Sequence, residues 1–306
     1  MIYVFKMKLV LEVENTIRSL KKNGFALGYG QVLSDSEIQE FEVIIKRLLS
    51  DGAIVKDFSS NALGITGLAG RDPDLDLLLN KIVSSPQIKL VLTNVLGNEY
   101  KIWQINARVS EINDSGLLLH QDSPGETNLV FLLKDQDSKD GCTGFYPGTH
   151  LIPRWAKKIS WSKISISRFL IKPLLGKKGQ HAFFFNKTWH ARFPNHKKER
   201  FVVLISFFPI DGIFTPDVFM KDSKRDQRSI ELNQLLSVSN GVEKFNQNQV
   251  RVVGTKALNA EPAYAIGIES NSSFSIGSIF LYVKLFVLEI IFKPIKLGYL
   301  LFKFLM

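Results

Sequence analysis

The chain has 306 residues and only one cysteine, Cys142, so no disulfide can form within it. That fits a reducing compartment and excludes a disulfide-stapled secreted fold. The opening Met1-Ile2-Tyr3-Val4-Phe5-Lys6 is too short an apolar stretch for a signal peptide. Without an export signal, the glycosylation-like triplets at Asn113 and Asn271 read as chance. No internal repeat is present. Tyrosine and tryptophan are few, at 7 and 4, whereas phenylalanine reaches 23. That much flat apolar volume suits a wide β core. Acids are outnumbered, and the net charge of +10 keeps nucleic acid, membrane surfaces and anionic substrates open as partners.

The pattern runs from helices to strands. Residues 1–22 form a helical or irregular lead-in, and Gly24 to Leu33 reads as strand and turn. Ser34-Asp35-Ser36-Glu37 is a capping-box pattern ahead of a helix to about Leu49, which Gly52 would stop. Asp72-Pro73 and Ser85-Pro86 mark the starts of further amphipathic helices within 73–96. Short runs rich in aromatic and β-branched residues follow at Tyr100 to Val109, Thr127 to Leu133, His181 to Phe185 and Phe201 to Phe208. Helices first and strands later predict an α+β fold, mainly β with flanking helices, around an antiparallel barrel or sandwich. We divide the chain into a domain over 1–220, a polar irregular extension over 221–273 and an apolar, basic segment over 274–306.

Chemistry gathers at His120-Gln121-Asp122 and at His190, with Arg200 ten residues beyond. In extended chain, residues i and i+2 point the same way, so His120 and Asp122 can reach one ion while Gln121 points elsewhere. A third vertex requires a second segment, and His190 supplies it. Two imidazoles and a carboxylate with no thiolate are the ligand set of a facial Fe(II) triad that leaves one face open. A guanidinium shortly after the second histidine is the bidentate partner that a dicarboxylate needs. An isolated H-x-D is common and usually a surface feature, so the weight rests on the blocks together.

Those blocks resemble the phytanoyl-CoA dioxygenase family of Fe(II)- and 2-oxoglutarate-dependent oxygenases. The resemblance spans roughly Gly24 to Pro209. It rests on Leu119-His120-Gln121-Asp122, the Gly-rich turn Gly141 to His150, the strand Gly179 to Phe185, and Thr188-Trp189-His190 through Pro194-Asn195 to Arg200. It implies a double-stranded β-helix (jelly-roll, cupin-like) core. It implies iron held by His120, Asp122 and His190, and Arg200 on the distal carboxylate of 2-oxoglutarate. It also implies a co-substrate contact from Gln104, with Gln121 as a second. The family often has Ser two residues after the distal histidine, where this chain has Arg192, a second clamp or a substrate contact. The His190-to-Arg200 interval is also slightly short. The implied reaction is O₂-dependent decarboxylation of 2-oxoglutarate to succinate coupled to C–H hydroxylation, with ascorbate as an expected addition in vitro. Asp122 occupies the position a halide would need, which disfavours halogenation. His150, His181 and His196 read as structural, and Cys142 as a small residue beside a turn.

Two segments fall outside those blocks. Between Pro153 and Gly179 lie eight bases and no acid: Arg154, Lys157, Lys158, Lys163, Arg168, Lys172, Lys177 and Lys178. Residues 274–306 are apolar but interrupted by Lys284 and Glu289, and Pro294 would kink a helix there. Either could be an ordinary solvated loop or a packed terminal helix pair. Together, 154–178 and 274–306 suggest an in-plane anchor on an anionic membrane. The expectation is a cytoplasmic enzyme, peripheral on the inner face of a membrane, acting on a small or lipid-linked molecule. The alternatives are a cupin-like metal enzyme that does not use 2-oxoglutarate and a noncatalytic membrane-associated binding protein. Nucleic acid is disfavoured, since no binding motif accompanies the charge.

Overall fold

The computed structural model describes residues 2–52, 55–56, 62–114, 116–122, 126–151 and 171–209. The expected segments 221–273 and 274–306 lie outside the described residues, as does 152–170 of the basic stretch. Four helices and eleven strands are described: α1 Ile2–Asn23, β1 Phe25–Leu27, α2 Asp35–Ser50, β2 Val55–Lys56, β3 Leu63–Thr66, α3 Pro73–Val83, α4 Pro86–Leu96, β4 Tyr100–Ser110, β5 Leu117–His120, β6 Thr127–Leu132, β7 Thr143–Phe145, β8 Lys172–Pro173, β9 His181–Phe185, β10 His190–Arg192 and β11 Arg200–Pro209.

Local chemistry sets the helix boundaries. The Ser34 hydroxyl accepts the Glu37 N–H, and the Glu37 carboxylate accepts the Ser34 N–H at 2.7 Å, closing the capping box on α2. Asp72 accepts the N–H groups of Asp74 and Leu75 at 2.9 and 3.1 Å, and Pro73 opens α3 where a missing N–H costs nothing. Ser85 starts α4 with Pro86 behind it but makes no side-chain cap.

All strand pairings are antiparallel. They form a seven-stranded sheet in the order β1-β9-β6-β11-β4-β3-β2 and a four-stranded sheet in the order β5-β10-β7-β8. The large sheet is covered on both faces. Phe201, Val203, Ile205 and Phe207 of β11 join Phe183, Ile105 and Val109 in one core with helix residues Ile38, Phe41, Leu79 and Leu92. The alternate residue Val202 joins Val130, Leu132 and Phe184 in a second core with Phe145 of the small sheet. This period-two division sends odd positions of β11 to the helices and even positions toward the small sheet. It also explains why β11 reads as an unbroken apolar run.

Candidate metal and anion site

The site belongs to the small sheet and the even-numbered face of the large one. His120 ends β5, His190 begins β10, and the two are Cα partners. Asp122 lies just past the end of β5. His190 opens a new strand after the turn at Asn186 to Trp189. One ligand atom from each of His120, Asp122 and His190 lies within 4.8 Å of the others. His190 Nε2 stands 3.3 Å from Asp122 Oδ2, and His120 Nε2 stands 3.7 Å from Asp122 Oδ1. The imidazole centroids are 4.3 Å apart.

His190 is oriented from behind. His190 Nδ1 meets the Thr188 carbonyl at 2.9 Å, leaving Nε2 to face Asp122. A backbone contact of this kind fixes the tautomer of a metal-binding imidazole. Thr188 is itself pinned, donating its hydroxyl to the Gly24 carbonyl at 3.0 Å. Phe184 and Phe145 pack on the His190 ring, at 5.0 and 6.0 Å between centroids. The Asp122 carboxylate remains 42% exposed while both imidazoles are turned toward it. Desolvation opposes its charge, but His190, then His120 and Arg108, outweigh that and hold it at about 2. His190 is pushed the other way: burial lowers its proton affinity, and Asp122 more than restores it. The result is one anionic carboxylate between two imidazoles, a donor set suited to a divalent cation.

Two buried arginines, one of them on the strand of His190, accompany this set. His190 and Arg192 are two residues apart on β10 and share a face, roughly 7 Å along the strand. Thr143 on β7 is the Cα partner of Arg192, and Arg200 donates to the Thr143 hydroxyl at 3.0 Å. Arg200 is 4% exposed. Burial, then Arg192, lower its proton affinity to about 9, so it stays charged at neutral pH. Its side-chain bond goes to a neutral hydroxyl, and its Nε has no hydrogen-bond partner among the described residues. A buried guanidinium with an unused donor is costly unless an anion completes it. Arg192 pairs with buried Asp114 at 3.1 Å. Gly116, at φ +81°, lets the chain pass close there: a Cβ would sit 2.4 Å from the Arg192 carbonyl oxygen.

The remaining expected site residues are placed as follows. Gln104 lies on β4, exposed, with its amide 3.5 Å from the Ser206 hydroxyl. The Gln121 amide donates to the Lys187 carbonyl. His150 and His181 are buried; desolvation lowers both to about 4. Cys142 is buried, and desolvation pushes its thiol up to about 11, which leaves it unreactive at neutral pH. Sequence reasoning did not single out Thr143, Asp114 or the backbone role of Thr188. Thr143 and Thr188 lie inside the recognised blocks, whereas no local pattern marks Asp114.

The two depressed histidines set an acid limit on stability. The unfolded chain takes up their protons near pH 6.5 and the folded chain only near 4, so their contribution is complete above 6.5 and falls as pH drops toward 4. Urea unfolding at pH 5 should give a free energy about 4 kcal/mol lower than at pH 7 from these two groups. His181→Gln should remove roughly half of that slope, and a slope untouched by the substitution would contradict the assignment.

The chain shares the fold of non-heme α-ketoglutarate-dependent enzymes. It is similar to the epimerase SnoN of nogalamycin biosynthesis, with a TM-score of 0.55 and 16% identity over 64% of this chain and 83% of SnoN. It is similar to the carbocyclase SnoK of the same biosynthesis, with a TM-score of 0.54 and 16% identity over 71% of this chain and 90% of SnoK. HygX of Streptomyces hygroscopicus, solved with nickel and 2-oxoglutarate, gives a TM-score of 0.54 and 13% identity over 75% of this chain and 97% of HygX. No protein-family profile and no curated protein sequence matches the chain.

Proposed function

We propose that the chain is an Fe(II)- and 2-oxoglutarate-dependent oxygenase that hydroxylates an unactivated C–H of a small molecule, on a double-stranded β-helix core. The observation that carries this reading is the pairing of the His120–Asp122–His190 cluster with the buried, incompletely bonded guanidinium of Arg200. His120, Asp122 and His190 would hold the iron by three neighbouring ligand atoms, leaving the opposite side open. When bound, iron with 2-oxoglutarate supplies the oxidising chemistry. Arg200 and the Thr143 hydroxyl would receive the far carboxylate, whose charge the buried guanidinium lacks a match for. Arg192, tied to Asp114, stands beside that end of the pocket; we assign it to the co-substrate and not the substrate. Gln104 and Gln121 are the weaker polar contacts. Phe145 and Phe184 would keep water from the His190 imidazole.

The neighbours include an epimerase and a carbocyclase, so the fold alone does not fix the outcome. Hydroxylation is the reading that the resemblance to phytanoyl-CoA dioxygenases favours. The test is succinate formation from 2-oxoglutarate with Fe(II), ascorbate and O₂. Stoichiometric succinate supports the reading. Metal binding with no 2-oxoglutarate consumption, in the presence of candidate substrates, would favour a cupin-like enzyme without that co-substrate.

We also propose, from sequence alone, that 154–178 and 274–306 meet an anionic membrane surface and that the substrate is a small or lipid-linked molecule. Among the described residues no helix is long and apolar enough to cross a membrane. Flotation of the full chain with anionic but not neutral vesicles is the expected result. Full recovery in the low-salt soluble fraction without detergent would contradict it.

A further inference from the structure

Opposite the triad, the large sheet buries polar side chains among apolar ones. Asn128 on β6 and Gln104 on β4 both flank Ser206 on β11 as Cα partners. Asn186 follows β9, and Glu126 precedes β6. Four of these five residues, Glu126, Asn128, Asn186 and Ser206, are 6% exposed or less. Their hydrogen bonds run head to tail. The Gln104 amide donates to Ser206, the Ser206 hydroxyl donates to Asn128 Oδ1 at 2.5 Å, the Asn128 amide donates to Asn186 Oδ1, and the Asn186 amide donates to Glu126 Oε2.

Asn186 is the junction. Its side-chain carbonyl and amide are both used in this relay. Its backbone N–H donates to the Glu126 carbonyl at 3.1 Å, and its backbone carbonyl accepts the Asp122 N–H at 3.1 Å. All four polar groups of one buried residue are therefore satisfied, and one of them holds the backbone of a triad member. Apolar side chains would fill this space without the desolvation cost of two amides, a hydroxyl and a carboxyl group. What the polar chain adds is direction: it allows one rotamer and one height for Asn186.

We infer that Glu126 and Asn186 are positioning residues for Asp122: the relay from Ser206 through Asn128 fixes Asn186, and Asn186 fixes the carboxylate-bearing segment against the two histidines. This rests on reading the triad as a metal site. The role of Glu126 is to accept the Asn186 amide, and a neutral acceptor does that as well as an anion. Burial, then the charge of Asp122, in fact hold Glu126 well above the ordinary carboxylate range.

The test is Co(II) titration of the full chain, without 2-oxoglutarate, followed by calorimetry and visible absorption. Glu126→Leu should fold and lose about 10- to 100-fold in Co(II) affinity, the usual cost of disturbing a ligand's outer partner. Glu126→Gln, which keeps the acceptor, should stay near the wild-type affinity and spectrum. A folded Glu126→Leu chain with wild-type affinity and spectrum overturns the inference, as does Glu126→Gln behaving like Glu126→Leu. If Glu126→Leu does not fold, Ser206→Ala, which deletes one hydroxyl from the relay, carries the test. A changed Co(II) spectrum supports the inference and an unchanged one overturns it. Failure of the wild-type chain to bind Co(II), or binding that survives Asp122→Ala unaltered, would instead refute the metal reading itself.

Discussion

Replacing Arg200 with alanine should raise the KM for 2-oxoglutarate by about two orders of magnitude and leave metal affinity near wild type. The size follows from what is lost. Truncating one member of a buried, hydrogen-bonded charge pair costs roughly 2–5 kcal/mol, and each 1.4 kcal/mol is tenfold. Lysine should recover only part of the loss, because it offers a point charge where the pocket presents a planar fork. The Thr143 hydroxyl, 3.0 Å from the guanidinium, would be left without its donor. Arg192→Ala should also weaken 2-oxoglutarate binding, but with a stability cost that Arg200→Ala lacks, since it strands the buried Asp114 carboxylate. Measured KM values for 2-oxoglutarate and unfolding free energies of both variants separate these effects. An Arg200→Ala enzyme with an unchanged KM would remove the clamp from the account.

The second large effect concerns the imidazoles. His190→Ala should abolish both tight Fe(II) binding and 2-oxoglutarate turnover. The two remaining ligands cannot complete a face of the metal's coordination sphere. The same substitution removes the ring that Phe145 and Phe184 pack against, so part of the loss should appear as lower stability. His120→Ala separates the two contributions, because His120 is a third exposed whereas His190 is buried. His120→Ala should lose metal with little change in melting temperature. A His120→Ala chain that still binds Fe(II) as the wild type does would contradict the ligand set.

Much of the large sheet could be read directly. Its strands β4, β6, β9 and β11 are long and covered on two faces, so their aromatic and β-branched runs carry a plain signal. The helices were equally legible, because Ser34 with Glu37 and the prolines at 73 and 86 announce their own boundaries. The small sheet was not legible as strands. β5, β7, β8 and β10 are two to four residues long, and β10 consists of His-Ala-Arg. In β10 two functional side chains replace the alternating apolar pattern that identifies a strand. The residues were found through ligand spacing and family-like blocks instead. Asp114 and the Glu126–Asn186 relay stayed hidden for a different reason. Their significance lies in pairings between segments 60 or more residues apart, Asn186 with Glu126 and Arg192 with Asp114, which no local pattern encodes.

In the proposed site, one ferrous ion on His120, Asp122 and His190 accepts 2-oxoglutarate within reach of Arg200. Anaerobic addition of Fe(II) to the protein with 2-oxoglutarate tests it most directly. The account predicts a visible charge-transfer absorption that saturates at one iron per chain, is absent in His120→Ala and requires far more 2-oxoglutarate in Arg200→Ala. No absorption in the wild-type protein, or one that persists unchanged in His120→Ala, would contradict it.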